Sequence, residues 1–270
     1  MENLILLGVA MLVTGCVAGI LAGLFGIGGG IVIVPVLEFS LGLLGIDPAI
    51  RMHVAVATSL ATIIPTSISS ARAHHQRQAV DGMIVRRWAV FALVGALAGA
   101  WIAAQVHGRV LAMVFATLAL LVAVKMILLP TSRNLTEDLP RGPLVALIPT
   151  TIGCLSSMMG IGGGTFSVMT LTMFNQPIHR AVGTAALLGL VISLPGTIGF
   201  IVAGWNDVRV PPWSLGYVSL IGFVLIAPAT VMTAPLGAKL AHSFSEKKLS
   251  ILFGVFLVLA AGRLFYGALV

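Results

Sequence analysis

The sequence predicts an all-α polytopic membrane protein, with about ten transmembrane segments arranged as two inverted five-segment repeats. Three observations carry this: scarcity of charge, a succession of uncharged runs, and a pair of glycine clusters that return in similar surroundings. The chain is 59% hydrophobic and 9% charged, and its mean hydropathy is +1.11. Soluble domains carry roughly 25% charged residues. A soluble surface could not be covered with so little, so the chain belongs in lipid.

The first run, Leu4–Leu24, is long enough to cross a bilayer as a helix. The stretch VTGC at Val13–Cys16 resembles a lipoprotein cleavage box. Met1-Glu2-Asn3 lacks the positive leader of a signal peptide, so the run is read as the first transmembrane helix. Ile31–Gly45, His53–Ala71, Trp88–Val106 and Val110–Val124 complete the first repeat, assigned to residues 1–130. Residues 131–142 form a cytoplasmic linker. The second repeat, 143–270, holds Pro143–Met159, Gly164–Asn175, Ala181–Ala203, Trp213–Ala238 and Leu249–Gly262. Ile31–Gly45 and Gly164–Asn175 are short for a full crossing, and each directly follows a glycine cluster.

Loops rich in Lys and Arg stay on the cytoplasmic side. By parity, Arg72, Arg77, Arg86, Arg87, Lys125, Arg133, Arg141, Arg180, Lys239, Lys247 and Lys248 fall on one side. Arg51, Arg109, Arg209 and Arg263 fall opposite, a split of 11 against 4 among the 15 basic residues. That places Arg72–Arg87 in the cytoplasm and both termini outside, in a cytoplasmic (inner) membrane. The net charge of +7 then marks anchoring to anionic lipid, not a nucleic-acid footprint.

Gly26-Ile27-Gly28-Gly29-Gly30 is repeated as Gly160-Ile161-Gly162-Gly163-Gly164, a shift of 134 residues. HVAVATSL from His53 returns as HRAVGTAA from His179, and LAGAWIA from Leu97 as PLGAKLA from Pro235. Each half has an odd number of segments, so the second copy enters the membrane inverted. Inverted repeats with broken helices near the midplane are the architecture of secondary transporters. Glycine costs about 1 kcal/mol relative to alanine inside a helix, so such clusters break one. The next helix then starts with bare N–H groups and a positive dipole end, which attract anions. Gly28, Gly29, Gly30, Gly162, Gly163 and Gly164 are therefore candidate substrate-binding residues. The alternative is that these glycines only permit close packing. That role is assigned to the small-residue ladders Gly15-Gly19-Gly23 and Gly95-Gly99.

The paired G-x-G-G-G turns, each followed by a helix and an A-V-x-T helix start, resemble the sulfite exporter TauE/SafE family of membrane permeases. The similarity runs from about Gly19 to Phe265. It implies a secondary carrier for small anions, chiefly sulfite, sulfonates and related organosulfur compounds. The second half fits more closely; in the first, Ala57-Thr58-Ser59 stands where the second has Gly183-Thr184-Ala185.

Polar side chains at membrane depth are expensive and usually functional. Thr58, Thr62 and Thr66 share one helix face, and with Ser59 and Thr184 they either line an anion path or back-bond within their helices. His53 and His179 occupy equivalent positions and either couple proton movement to the anion or cap helix starts. Arg51 and Arg180 beside them either draw an anion into a vestibule or snorkel to the interface. Glu38, the only acidic residue well inside a segment, either binds the coupling proton or reaches the outer headgroups. Trp205 and Trp213 mark an interfacial belt.

No cofactor is expected. A phosphate-binding loop needs G-x-x-x-x-G-K-[ST], and no Lys follows either cluster. H-E-x-x-H and G-x-S-x-G are absent, which argues against an intramembrane enzyme. Cys16 and Cys154 are apolar helix residues, and His74-His75 lacks further metal ligands nearby. The implied partners are a small anion, membrane lipid and protons as coupling ion. An anion channel is the alternative to a carrier, and an enzyme is the more distant one.

Overall fold

The computed structural model describes residues 2–25, 29–128, 142–240 and 246–269. Ten α-helices lie among them: α1 (Glu2–Phe25), α2 (Gly30–Leu43), α3 (Pro48–Gln76), α4 (Gly82–Gln105), α5 (Gly108–Leu128), α6 (Leu144–Met159), α7 (Gly164–Met173), α8 (Ile178–Ala203), α9 (Leu220–Leu240) and α10 (Glu246–Leu269). A small hairpin, β1 (Ser214–Leu215) and β2 (Val218–Ser219), precedes α9. Among the described residues, six helices are long and apolar enough to span a bilayer, and shorter apolar helices accompany them. The protein is thus an all-α polytopic membrane protein.

Helix starts follow from local chemistry. Asp47 accepts the Ala49 N–H at 2.8 Å, with Pro48 at the first helical position, so α3 begins five residues before the predicted run. Asp81 accepts the N–H groups of Met83 and Ile84 and starts α4.

One element differs from expectation. The apolar run predicted as a single helix from Trp213 is a hairpin as far as Ser219, and the helix starts at Leu220. Pro211 and Pro212 carry no N–H for a helical ladder, and Trp213 and Gly216 adopt positive φ, at 60° and 55°. Those angles turn the chain back on itself. Hydropathy is blind to this, because a short hairpin and a helix can be equally apolar.

α3 is the most enclosed of the long helices, and it packs along α8 at the centre. Around that pair, α1 lies on α9, α4 on α6, and α5 on α10. The small-residue ladders sit in the first two of these seams. A β-carbon on Gly15 would stand 2.8 Å from the Ile226 carbonyl, and one on Gly95 or Gly99 would overlap the Thr150 or Cys154 carbonyl. The buried core is aliphatic, with Phe115 and Phe200 its largest fully enclosed side chains.

Candidate functional site

Two left-handed glycines begin the short helices. Gly29 at φ 76° caps α2 and Gly163 at φ 78° caps α7, a conformation that side-chain-bearing residues resist. Neither start has a side-chain cap, so the first N–H groups of both helices lack intrahelical acceptors. Gly26, Ile27 and Gly28 lie outside the described residues.

The turns meet. A β-carbon on Gly30 would overlap the carbonyl oxygen of Gly160 and come within 2.8 Å of the Ile161 Cα. Ser59 Oγ, fully buried on α3, donates to that same Gly160 carbonyl at 2.7 Å. Thus Ser59 of the first half fixes the glycine turn of the second.

Around the second turn stand four hydroxyls that the sequence reading missed. Ser156 and Ser157 end α6; Thr165 and Ser167 begin α7. All four are at least nine-tenths buried, and their oxygens have no hydrogen-bond partner. Ser156 Oγ lies 3.6 Å from where a β-carbon on Gly163 would sit, so it faces the start of α7. Ser157 Oγ faces Gly196 of α8 in the same way, at 2.8 Å. Buried hydroxyls without partners are costly, and native proteins retain few of them. The available signal was their place immediately flanking the glycines, in LSSMMGIGGGTFS. At the same offset in the first half stand Ala22, Gly23, Ile31 and Ile33.

Thr58 and Thr184 occupy matched positions and do matched work. Thr58 Oγ1 accepts the backbone N–H of Ser219, before α9; Thr184 Oγ1 accepts that of Asp81, before α4. Both bonds are 2.9 Å. Their oxygens act here as acceptors in helix-start clamps. Thr62 and Thr66 back-bond to the carbonyls of Ser59 and Thr62, beside Pro65.

A family model described as sulfite exporter TauE/SafE matches residues 11–264. The chain belongs to that family. It is therefore a membrane transporter and not an enzyme. A "Probable membrane transporter protein" of Haemophilus influenzae is 35% identical over 94% of this chain and 96% of its own length. Proteins of the same description match from Methanocaldococcus jannaschii, at 27% identity over 90% of this chain and 89% of the relative, and from Bacillus subtilis, at 24% over 96% and 97%. No solved structure matches.

In this TauE/SafE protein the expected coupling and vestibule residues lie at the two ends of the bundle. His53 is buried, and its Nε2–H is shared by the carbonyls of Ala103 and Val106 at 3.0 and 3.1 Å, tying α3 to the end of α4. Its ring also lies against Tyr217, with centroids 5.2 Å apart. His179 and Arg180, by contrast, are exposed at the start of α8. Glu38 sits between two guanidinium groups: Arg263 donates to it at 3.3 Å and Arg51 lies 3.8 Å away. Arg263 also stacks over the Phe39 ring at 4.1 Å. The hydrogen bonds and ion pairs described for His53, Arg51 and Glu38 do not reach the glycine turns.

The hairpin has its own anchor. Asp207 accepts from Arg209 through the backbone N–H, Nε and Nη2, and from the Tyr217 hydroxyl at 3.0 Å. The Arg209 hydrogen bonds hold the Asp207 carboxyl well below the usual carboxylate range, and Asp207 in turn raises the guanidinium. Burial, then the bond to Asp207, pushes the Tyr217 phenol up to about 12. Arg209 reaches Asp47 at 3.9 Å, which links the α2–α3 loop to the α8–α9 segment.

Proposed function

We propose that this chain is a secondary transporter of small anions, of the sulfite, sulfonate and related organosulfur class, working by alternating access in the cytoplasmic membrane. The observation that carries this is the group of buried, unpartnered hydroxyls at the start of α7. Ser156 brings an unused O–H donor to a helix start that has no side-chain cap, and Ser157, Thr165 and Ser167 flank that turn in the chain with further buried, unpartnered hydroxyls. Hydroxyls and amides together can replace the hydration of an oxyanion. The site has donors without a fixed cation, so it can release the anion as well as bind it. Gly163 and Gly164 supply backbone there with no β-carbon in the way, and Gly29, Gly30 and Gly162 form the facing surface. The described part of this surface is Gly29 onward.

Alternating access requires two halves that rock against each other. An inverted-repeat arrangement is supported by the seams: exchanging the halves turns the α1–α9 seam into α6–α4 and leaves α3–α8 and α5–α10 unchanged. The Thr58 and Thr184 clamps obey the same exchange. The distribution of basic residues supports termini outside. Coupling to protons or another ion is the further part of this proposal, with His53, His179 and Glu38 as candidates.

The test is flux of sulfite and of methanesulfonate in proteoliposomes, with and without an imposed proton gradient. Accumulation against a gradient of the anion marks a coupled carrier. Flux that only dissipates gradients, at channel rates and in both Ser156→Ala/Ser157→Ala and wild type, would sink the proposal.

A further inference from the structure

A cavity lies away from the glycine turns. It has a volume of about 310 Å³ and sits where α3 starts, α4 ends and the hairpin segment folds over. Its polar lining comes from His53, Gln105, His107, Arg209 and Tyr217, with the backbone around Ala49 and Ile50 behind. Ile50 and Ser59 are nine residues apart on α3, so the cavity stands about 14 Å along that helix from the glycine turn.

Among the described residues, the lining holds no carboxylate. Two carboxylates stand beside it: Asp207 has both oxygens occupied by Arg209 and Tyr217, and Asp47 accepts the Ala49 N–H at 2.8 Å and lies 3.9 Å from Arg209 Nη1. Two lining groups are spoken for: the Tyr217 hydroxyl by Asp207, and the His53 Nε2–H by two carbonyls. Three donors are left. Nη1 of Arg209 has only the loose 3.9 Å approach to Asp47. His107 Nδ1 accepts the Arg109 N–H at 3.3 Å, which puts the proton of the neutral ring on Nε2. Gln105 adds an exposed amide.

We infer that this cavity is a binding site for a small oxyanion, distinct from the hydroxyl site at α7. Arg209 Nη1, His107 Nε2–H and the Gln105 amide hold it. The bound anion replaces Asp47 as the partner of Nη1, because charge-assisted bonds at full contact are stronger than a 3.9 Å approach. Occupancy therefore loosens the link between the α2–α3 loop and the hairpin. On the expected orientation the site faces the outside and is a station between solvent and the central turn.

The experiment is isothermal titration of the purified full chain in detergent with methanesulfonate. Wild type is expected to bind two per chain; Arg209→Gln and Ser156→Ala/Ser157→Ala, one each; the combined variant, none. Gln105→Leu leaves the Asp207–Arg209 pair intact and should weaken the hairpin-end event about tenfold. One site in wild type that disappears in Arg209→Gln would support this site and overturn the central one. Binding to Arg209→Gln equal to wild type overturns it, as does no binding to wild type at millimolar methanesulfonate. Loss in Arg209→Gln with native binding in Gln105→Leu also overturns it, assigning the effect to a displaced hairpin.

Discussion

The two glycine turns share a backbone and differ in their chemistry. Gly29 and Gly163 adopt nearly the same left-handed conformation, at φ 76° and 78°, and each starts a short apolar helix without a cap. Beside the second turn are four buried hydroxyls; beside the first, the same offsets hold Ala22, Gly23, Ile31 and Ile33. Repetition thus supplies a broken helix twice, and side chains make one copy polar.

The largest expected effect breaks the shared part. Gly30→Leu drives a side chain into the Gly160 carbonyl, against backbone that has nowhere to go. Overpacking of this kind costs about 3 kcal/mol or more, and folded protein should be lost on size exclusion. Gly163→Ala meets mainly the far end of Ile192, a flexible side chain. It should cost about 1–2 kcal/mol of left-handed strain and leave a folded chain.

The next effect isolates what differs. Ser156→Ala/Ser157→Ala should lower anion flux by about a hundredfold or more, since two hydrogen bonds to a charged group are together worth about 3 kcal/mol or more. The melting temperature should hold or rise, because unpartnered buried oxygens are removed. At the other turn Ile31→Thr should lower the melting temperature and leave affinity as it was. If both substitutions change flux and stability in parallel, the comparison between polar and apolar turns fails.

Smaller effects sharpen the symmetry. Thr58→Val and Thr184→Val each leave a backbone N–H without its acceptor, at about 1–3 kcal/mol. The two should cost similar amounts, and flux per folded molecule should stay near wild type. A selective loss of flux in either would return that hydroxyl to the anion path. The smallest effect concerns the start of α9, anchored by Asp207. The folded pKa of Asp207 is depressed, so its contribution is present above the unfolded value of about 3.9 and is lost as pH falls through the folded one. Fluorescence of Trp205 and Trp213, both exposed on this segment, should stay constant from pH 7 to about 5 and shift only in stronger acid. Asp207→Asn should abolish that acid transition.

Much of the fold was legible because lipid imposes length and apolarity, and the repeat made the glycine breaks visible. What escaped depended on contacts between distant segments. The Trp213–Ser219 stretch reads as apolar helix until Pro211, Pro212 and the positive-φ turn are considered together. Thr58 and Thr184 were identifiable as a pair, but whether an oxygen donates or accepts is set by what lies opposite, 161 and 103 residues away in sequence. Ser156 and Ser157 carry no periodic signature. Ser157 packs against Gly196 of α8 and Ser156 against Gly163 at the start of α7, which no local pattern announces.

The seams have a consequence for biogenesis. α1 finds its mate in α9 and α4 in α6, so neither half contains the surfaces that its own helices require. When α5 leaves the translocon, Gly15, Gly19, Gly95 and Gly99 still face lipid, with their grooves unfilled. The nascent chain must wait in the bilayer as loosely associated helices until the later ones arrive to interlock.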